Sequence, residues 1–107
     1  MADNSLLEKV LGLQEKYEAL QAQLSDPEVI SDMKRFVQLN KEYKELTPII
    51  QAGNEFKKIM ENYEMAKEIL ATEKDEDLRE MAKEEIAEIA PTLPEWEEKI
   101  KLLLIPA

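Results

Sequence analysis

Apolar residues in the last quarter of the chain recur at the spacing of an α-helix. Between residues 78 and 104 the steps from one to the next are three or four residues, which keeps their side chains on one side of a helix and is close to the coiled-coil period. The stripe consists of Leu78, Ala82, Ile86, Ile89, Leu93, Trp96, Ile100 and Leu103. A single helix cannot bury such a stripe, so we expect it to pack against helices supplied upstream.

Three similar stripes precede this one, and capping residues followed by proline separate them. Asp26-Pro27 and Thr47-Pro48 each pair a favourable N-cap with a proline suited to the first helical position. The sequence predicts helices near 5–24, 27–46, 48–71 and 75–104. The predicted fold class is all-α: an antiparallel, coiled-coil-like helical bundle of about four helices.

Several positions within these helices carry more specific expectations. Ser5 has the form of a capping box with Glu8 and should open the first helix. Gly12 lies mid-helix, where a close approach of a second helix would explain it. Ser31 is a possible second cap, in which case Asp26 to Ile30 form a short turn before a longer helix. The second apolar stripe consists of Val29, Met33, Phe36, Val37, Tyr43 and Leu46. Asn40 falls on this stripe, either at its solvated edge or as a buried polar residue that fixes register.

Pro91 and Pro94 conflict locally with the last stripe. Pro91 lacks the N–H that would reach the Ala87 carbonyl, and its ring crowds that carbonyl. Thr92 to Glu95 has the form of a new capping box. The stripe nevertheless crosses this region in register, so we expect one helix kinked near Pro91 and Pro94, or two nearly coaxial helices, rather than a reversal.

The composition removes most catalytic chemistry. The chain has 107 residues and a net charge of -10, with neither cysteine nor histidine. Disulfides, thiolate chemistry, common zinc sites and a histidine base are excluded, and independent binding to nucleic acid is disfavoured. No run of apolar residues is long enough to span a membrane. With no signal peptide visible, we expect a cytoplasmic protein.

The remaining polar residues have structural explanations. Six Ser and Thr residues all fall at predicted helix ends, where capping explains them: Ser5, Ser25, Ser31, Thr47, Thr72 and Thr92. The acidic run from Glu73 to Glu85 lacks the glycine and the ligand spacing of a calcium loop. The sequence therefore predicts no catalytic, cofactor-binding or metal-binding residue, and no cofactor.

The order of these pieces resembles the N-terminal domain of the bacterial release factor 1 family, class-I peptide chain release factors that read UAA and UAG stop codons. The resemblance spans essentially the whole chain. The segments that carry it are 77–86 (DLREMAKEEI), 102–106 (LLLIP), 25–28 (SDPE) and 39–43 (LNKEY). It implies an N-terminal helical domain, residues 1–107, of a larger translation termination factor.

The resemblance also implies partners. Family members hydrolyse peptidyl-tRNA through a Gly-Gly-Gln loop and read the stop codon with a Pro-x-Thr tripeptide, and neither motif occurs here. The chain would then be a ribosome-contacting module without its own chemistry. The implied contacts are the stalk base of the large ribosomal subunit and the glutamine methyltransferase that modifies the Gly-Gly-Gln loop.

Two other functional classes stay open at this point: a free-standing helical adaptor or coiled-coil interaction module, and an enzyme.

The C-terminal apolar tail carries an expectation of its own. Leu102, Leu104 and Ile105 point to different sides of any helix continued there. We expect them to lie outside the bundle seam and to pack on a neighbouring domain of a longer factor.

Overall fold

The computed structural model describes residues 4–105, and all of its regular structure is helical. The elements are α1 (Asn4–Leu24), α2 (Pro27–Ser31), α3 (Met33–Thr72), α4 (Glu76–Ile89) and α5 (Thr92–Leu104). No β-strand occurs within residues 4–105. The all-α prediction is therefore confirmed for this part of the chain.

Helix α3 is the axis of the molecule. At 1.5 Å per residue its 40 residues extend about 60 Å, which accounts for the longest dimension of 62 Å. Helix α1 runs antiparallel along its first part, with Tyr17 opposite Thr47 and Val10 opposite Gly53. Helices α4 and α5 run back along α3 from its C-terminal end, also antiparallel, and α5 overlaps the part of α3 on which α1 packs. The result is an antiparallel bundle in which α3 contacts every other helix.

The core lies where α1, α3 and α5 overlap. There the apolar faces of three helices meet, and burial of each large side chain contributes about 1.5–3 kcal/mol. Phe56 and Ile100 are completely buried at its centre. The cluster consists of Leu6, Val10, Ala52, Phe56, Met60, Leu93 and Ile100. Ala66 and Ala82 are buried beyond it, on α3 and α4.

The predicted helix 27–46 begins where expected, but it is interrupted after Ser31 and does not end at residue 46. Asp26 caps Pro27 as predicted, since its carboxylate accepts the Glu28 N–H at 2.9 Å. That helix ends after little more than one turn, at Ser31. Asp32, rather than Ser31, then caps α3 by accepting the Arg35 N–H at 3.3 Å.

The predicted boundary at Thr47-Pro48 does not exist. Helix α3 continues through Pro48, so the predicted helices 27–46 and 48–71 are largely one element. The Pro48 ring is exposed, and the Thr47 hydroxyl lies 2.9 Å from the Tyr43 carbonyl instead of capping a new helix. Packing of α1 on one side and α5 on the other offsets the lost backbone bond, because both pack on α3 across this point.

The predicted kink near Pro91 and Pro94 is confirmed. Segments α4 and α5 form one helical rod bent by 39°. The backbone at Ala90 and Pro91 stays in the right-handed helical region, so the chain bends without reversing. Thr92 bonds the Ile89 carbonyl at 2.7 Å and α5 has no side-chain cap, so the suggested capping box at Thr92–Glu95 was wrong.

The close helix approach lies at Gly53 and not at Gly12. A Cβ at Gly12 would meet nothing within 4 Å, whereas one at Gly53 would collide with Val10. Two other residues were misassigned: Met33 and Val37 lie on the predicted second stripe but are exposed. Asn40 is only partly covered, which fits the solvated-edge interpretation.

Candidate functional site

The hydroxyl residues are structural, although not in the predicted way. Ser25, Ser31 and Thr72 each lie within hydrogen-bonding distance of a carbonyl three or four residues earlier, at 3.3, 2.9 and 2.9 Å. Thr47 and Thr92 do the same. None of these five is an N-cap, so the capping prediction was wrong for them. Ser5 lies in the first turn of α1, and the positions before Asn4 fall outside the described residues.

The most connected polar group joins α1 to α3. The rings of Tyr17 and Tyr43 stack with centroids 4.4 Å apart and planes 8° from parallel. The Tyr17 hydroxyl lies 3.0 Å from Thr47 Oγ1, and Gln21 donates to the Tyr43 hydroxyl at 3.2 Å. The hydrogen bond to Tyr17 and burial raise the pKa of the Tyr43 phenol. The stacking and the hydrogen bonds tie defined turns of α1 and α3 together, so the cluster fixes the register of the two helices.

The carboxylates of the acidic run stabilise a helix start. Asp75 accepts the backbone N–H groups of Asp77 and Leu78, at 2.9 and 3.4 Å, and Glu76 and Asp77 lie in the first turn of α4. Negative charge is favourable at this end of a helix. Within residues 4–105 no group of three acidic side chains is placed to hold a metal ion. In the same part of the chain, no helix is both long and apolar enough to cross a membrane.

Apart from Leu11 on α1, the exposed large apolar side chains of the described residues lie in three places. At the start of α3 the exposed apolar side chains lie among lysines. We call this group the α2–α3 surface, and it consists of Ile30, Met33, Lys34, Val37, Lys41 and Lys44. At the opposite end, Met65, Leu78 and Met81 stand among carboxylates. The third place is the C-terminal end of α5. Exposed apolar groups of this kind make all three places candidate contact surfaces.

The predicted exposure of the C-terminal tail is confirmed for two of its three residues, and its packing on a neighbouring domain stays a prediction. Leu102 is 60% exposed and Ile105 is 63% exposed, and an open groove of about 740 Å³ runs beside Leu102 and Pro94. Leu104 differs from the prediction, because it packs with Leu103 against the core. The side chains left uncovered are therefore Leu102 and Ile105.

Comparison with known proteins identifies the family. The model of the PCRF domain matches residues 13–107 of this chain. The chain belongs to the PCRF domain family. Among its relatives, peptide chain release factor 1 of Bacteroides fragilis is 51% identical over 108 residues, covering 100% of this chain and 29% of the relative.

Other members of the family resemble the chain over the same region. Peptide chain release factor 1 of Parabacteroides distasonis is 49% identical, covering 100% of this chain and 29% of its own length. The protein of that name from Lactobacillus johnsonii is 38% identical, covering 96% and 28%. The chain thus spans less than a third of the length of these relatives. No solved structure matches it.

The α2–α3 surface is the feature that sequence reasoning missed. Met33 and Val37 continue an apolar stripe, which suggested burial. The available signal was charge: residues 33–44 carry four cations and one anion, whereas the other 95 positions carry ten cations and 23 anions. An apolar stripe within such a cationic stretch is a candidate contact surface.

Proposed function

We propose that this chain is the N-terminal interaction module of a translation termination factor, which directs release of the finished peptide at UAA and UAG codons in the cytoplasm. The observation that carries the proposal is 51% identity, over the whole chain, to a protein named peptide chain release factor 1. The module contributes binding and carries no chemistry of its own. Peptide release and codon reading then belong to the other two thirds of the factor.

The shape of the chain supports a positioning role. A rod of 62 × 27 × 18 Å, stiffened by one continuous helix, can hold a contact at one end far from an attachment at the other. Exposed apolar groups at both ends provide such contacts. We propose the ribosome as the main partner, through the stalk base of its large subunit. The glutamine methyltransferase that modifies release factors is proposed as the second partner.

A release assay tests the division of labour. Residues 1–107 are expected to release no peptide above background from ribosomes stopped at UAA, while the full-length factor releases it. A factor lacking residues 1–107 should keep measurable release, yet bind stop-codon ribosomes at least about tenfold more weakly, a loss of about 1.4 kcal/mol. Equal binding with and without the module would contradict the proposal, as would release by the module alone.

A further inference from the structure

The α2–α3 surface presents apolar side chains that nothing within the described residues covers. Ile30, Met33 and Val37 are 52%, 69% and 57% exposed. Met33 and Val37 are separated by one helical turn, so they lie on one side of α3. Ile30 stands on the short helix α2 that leads into it. Exposed apolar groups gathered in this way are typical of contact sites.

Lysines surround this apolar strip. Lys34, Lys41 and Lys44 flank Val37 along the same side of α3, with Asn40 and Glu45 between and beside them. Among residues 4–105, none of the three ammonium groups has a carboxylate partner within ion-pair distance. At physiological salt, charges more than about 8 Å away are largely screened. A partner at this surface therefore meets mainly the field of these lysines, although the whole chain is acidic.

The neighbouring helices leave this side of α3 open. The inner side of its first turns is covered by α1, through the stacked rings of Tyr17 and Tyr43. Along the other flank, α5 ends where Leu103 lies beside Pro48. Between these limits, a groove of about 470 Å³ runs past Val37, lined also by Asn40, Lys41, Lys44 and Glu45.

We propose that the α2–α3 surface docks an acidic amphipathic helix of another protein. Apolar residues of that helix cover Met33 and Val37, and its flanking carboxylates pair with the lysines. A nucleic acid backbone would satisfy the lysines but would leave Ile30, Met33 and Val37 in water. The inference goes beyond the proposed function and does not depend on it, because it rests on exposure and charge alone.

A designed probe tests the surface directly. The probe is a three-heptad synthetic peptide with Leu at the a and d positions and Glu at the flanking positions. One comparison peptide carries Lys in place of Glu, and the other carries the acidic residues in scrambled order. Binding is measured by fluorescence anisotropy, and the contact is mapped by backbone NMR shifts. We expect the acidic peptide to bind, with its shifts confined to residues 30–45, and both comparison peptides to bind at least about tenfold more weakly.

Matched variants separate the apolar and charged contributions. Val37→Asp should weaken binding at least about tenfold, and Lys41→Glu with Lys44→Glu should do the same while removing the salt dependence. The controls place the same changes on exposed sites elsewhere: Met65→Asp, and Lys58→Glu with Lys83→Glu. The controls should stay within about twofold of wild type, and circular dichroism confirms that every variant is folded.

Several results would overturn the inference. One is no binding of the acidic peptide up to about 1 mM. A second is equal binding by the scrambled peptide, or shifts centred outside residues 30–45. A third is RNA duplex bound through Lys41 and Lys44 in place of the peptide. The last is dimerisation of the chain itself that Val37→Asp abolishes, because a second copy would then be the natural occupant.

Discussion

At the scale of single residues, the two glycines have opposite consequences although both lie inside long helices. Gly53 forms the floor of the α1–α3 contact, and a Cβ there would overlap Val10 Cγ1. Gly12 faces outward, with nothing within 4 Å of the position a Cβ would take. One glycine therefore permits a close approach, and the other only loosens its helix.

Alanine substitution should separate the two glycines. Gly12→Ala is expected to stabilise the chain by about 0.5–1 kcal/mol, because alanine is the better helix former. Gly53→Ala gains the same amount, but displacing the stiff Val10 side chain costs about 1–3 kcal/mol, so the net change is destabilising. Thermal unfolding followed by circular dichroism measures both. A Gly53→Ala protein that melts at or above the wild-type temperature would contradict the assigned contact.

The sequence could not distinguish these glycines, because their roles depend on which turn of α1 meets which turn of α3. The stacked pair of Tyr17 and Tyr43 helps to set that register, and residues 26 positions apart give no local signal of it. The same limit applies to Met33 and Val37. Their apolar character suggested burial, and the signal against burial was the cationic stretch in which they lie.

At the scale of elements, Pro48 and Pro91 show how packing decides what a helical proline does. Both remove a backbone hydrogen bond, yet α3 continues through Pro48, whereas α4 and α5 meet at a 39° bend beside Pro91. Across Pro48, α1 and α5 hold α3 from two sides. Past Pro91, the chain must change direction so that α4 and α5 can both follow α3.

Replacing each proline with alanine tests this contrast. Pro48→Ala restores a bond to the Lys44 carbonyl in a helix already continuous there, and should stabilise the chain by about 1–3 kcal/mol. Pro91→Ala favours a straight rod that cannot bury Ala82 and Ile100 together, so its gain should be smaller. Urea unfolding of the two variants gives the comparison. An equal or larger gain for Pro91→Ala would show that the bend is not required by packing.

At the scale of the whole molecule, the sequence was sufficient to predict the class of fold but not how the chain is divided into helices. Periodic apolar residues gave an all-α bundle, the limits of α1 and the bent last helix. They did not give the unbroken α3, because the capping and proline signal at Thr47-Pro48 is local, whereas the packing that overrides it is tertiary. Of the exposed surfaces, the prediction identified only the tail, where apolar residues fall on several sides of one helix. The cationic stretch at residues 33–44 was a signal that the prediction did not use.

The tail offers a test at this scale. Changing Leu102 and Ile105 together to Ser should alter the stability of residues 1–107 by less than about 0.5 kcal/mol, because both side chains are mainly in water. Ile100→Ser, two residues before Leu102 and 0% exposed, should cost at least about 3 kcal/mol. Differential scanning calorimetry compares the two proteins. Similar losses for both would place the tail inside the bundle.

The position of the single tryptophan gives the molecule a built-in optical reporter. Trp96 is partly buried against the three-helix core, with the Lys99 ammonium 4.9 Å from the centre of its ring. Its emission will therefore shift to longer wavelength when α5 leaves α3 and water reaches the indole. The stacked tyrosines lie elsewhere, between α1 and α3. Excitation at the long-wavelength edge selects the indole, so this emission follows the contact of α5 with α3 without a contribution from them.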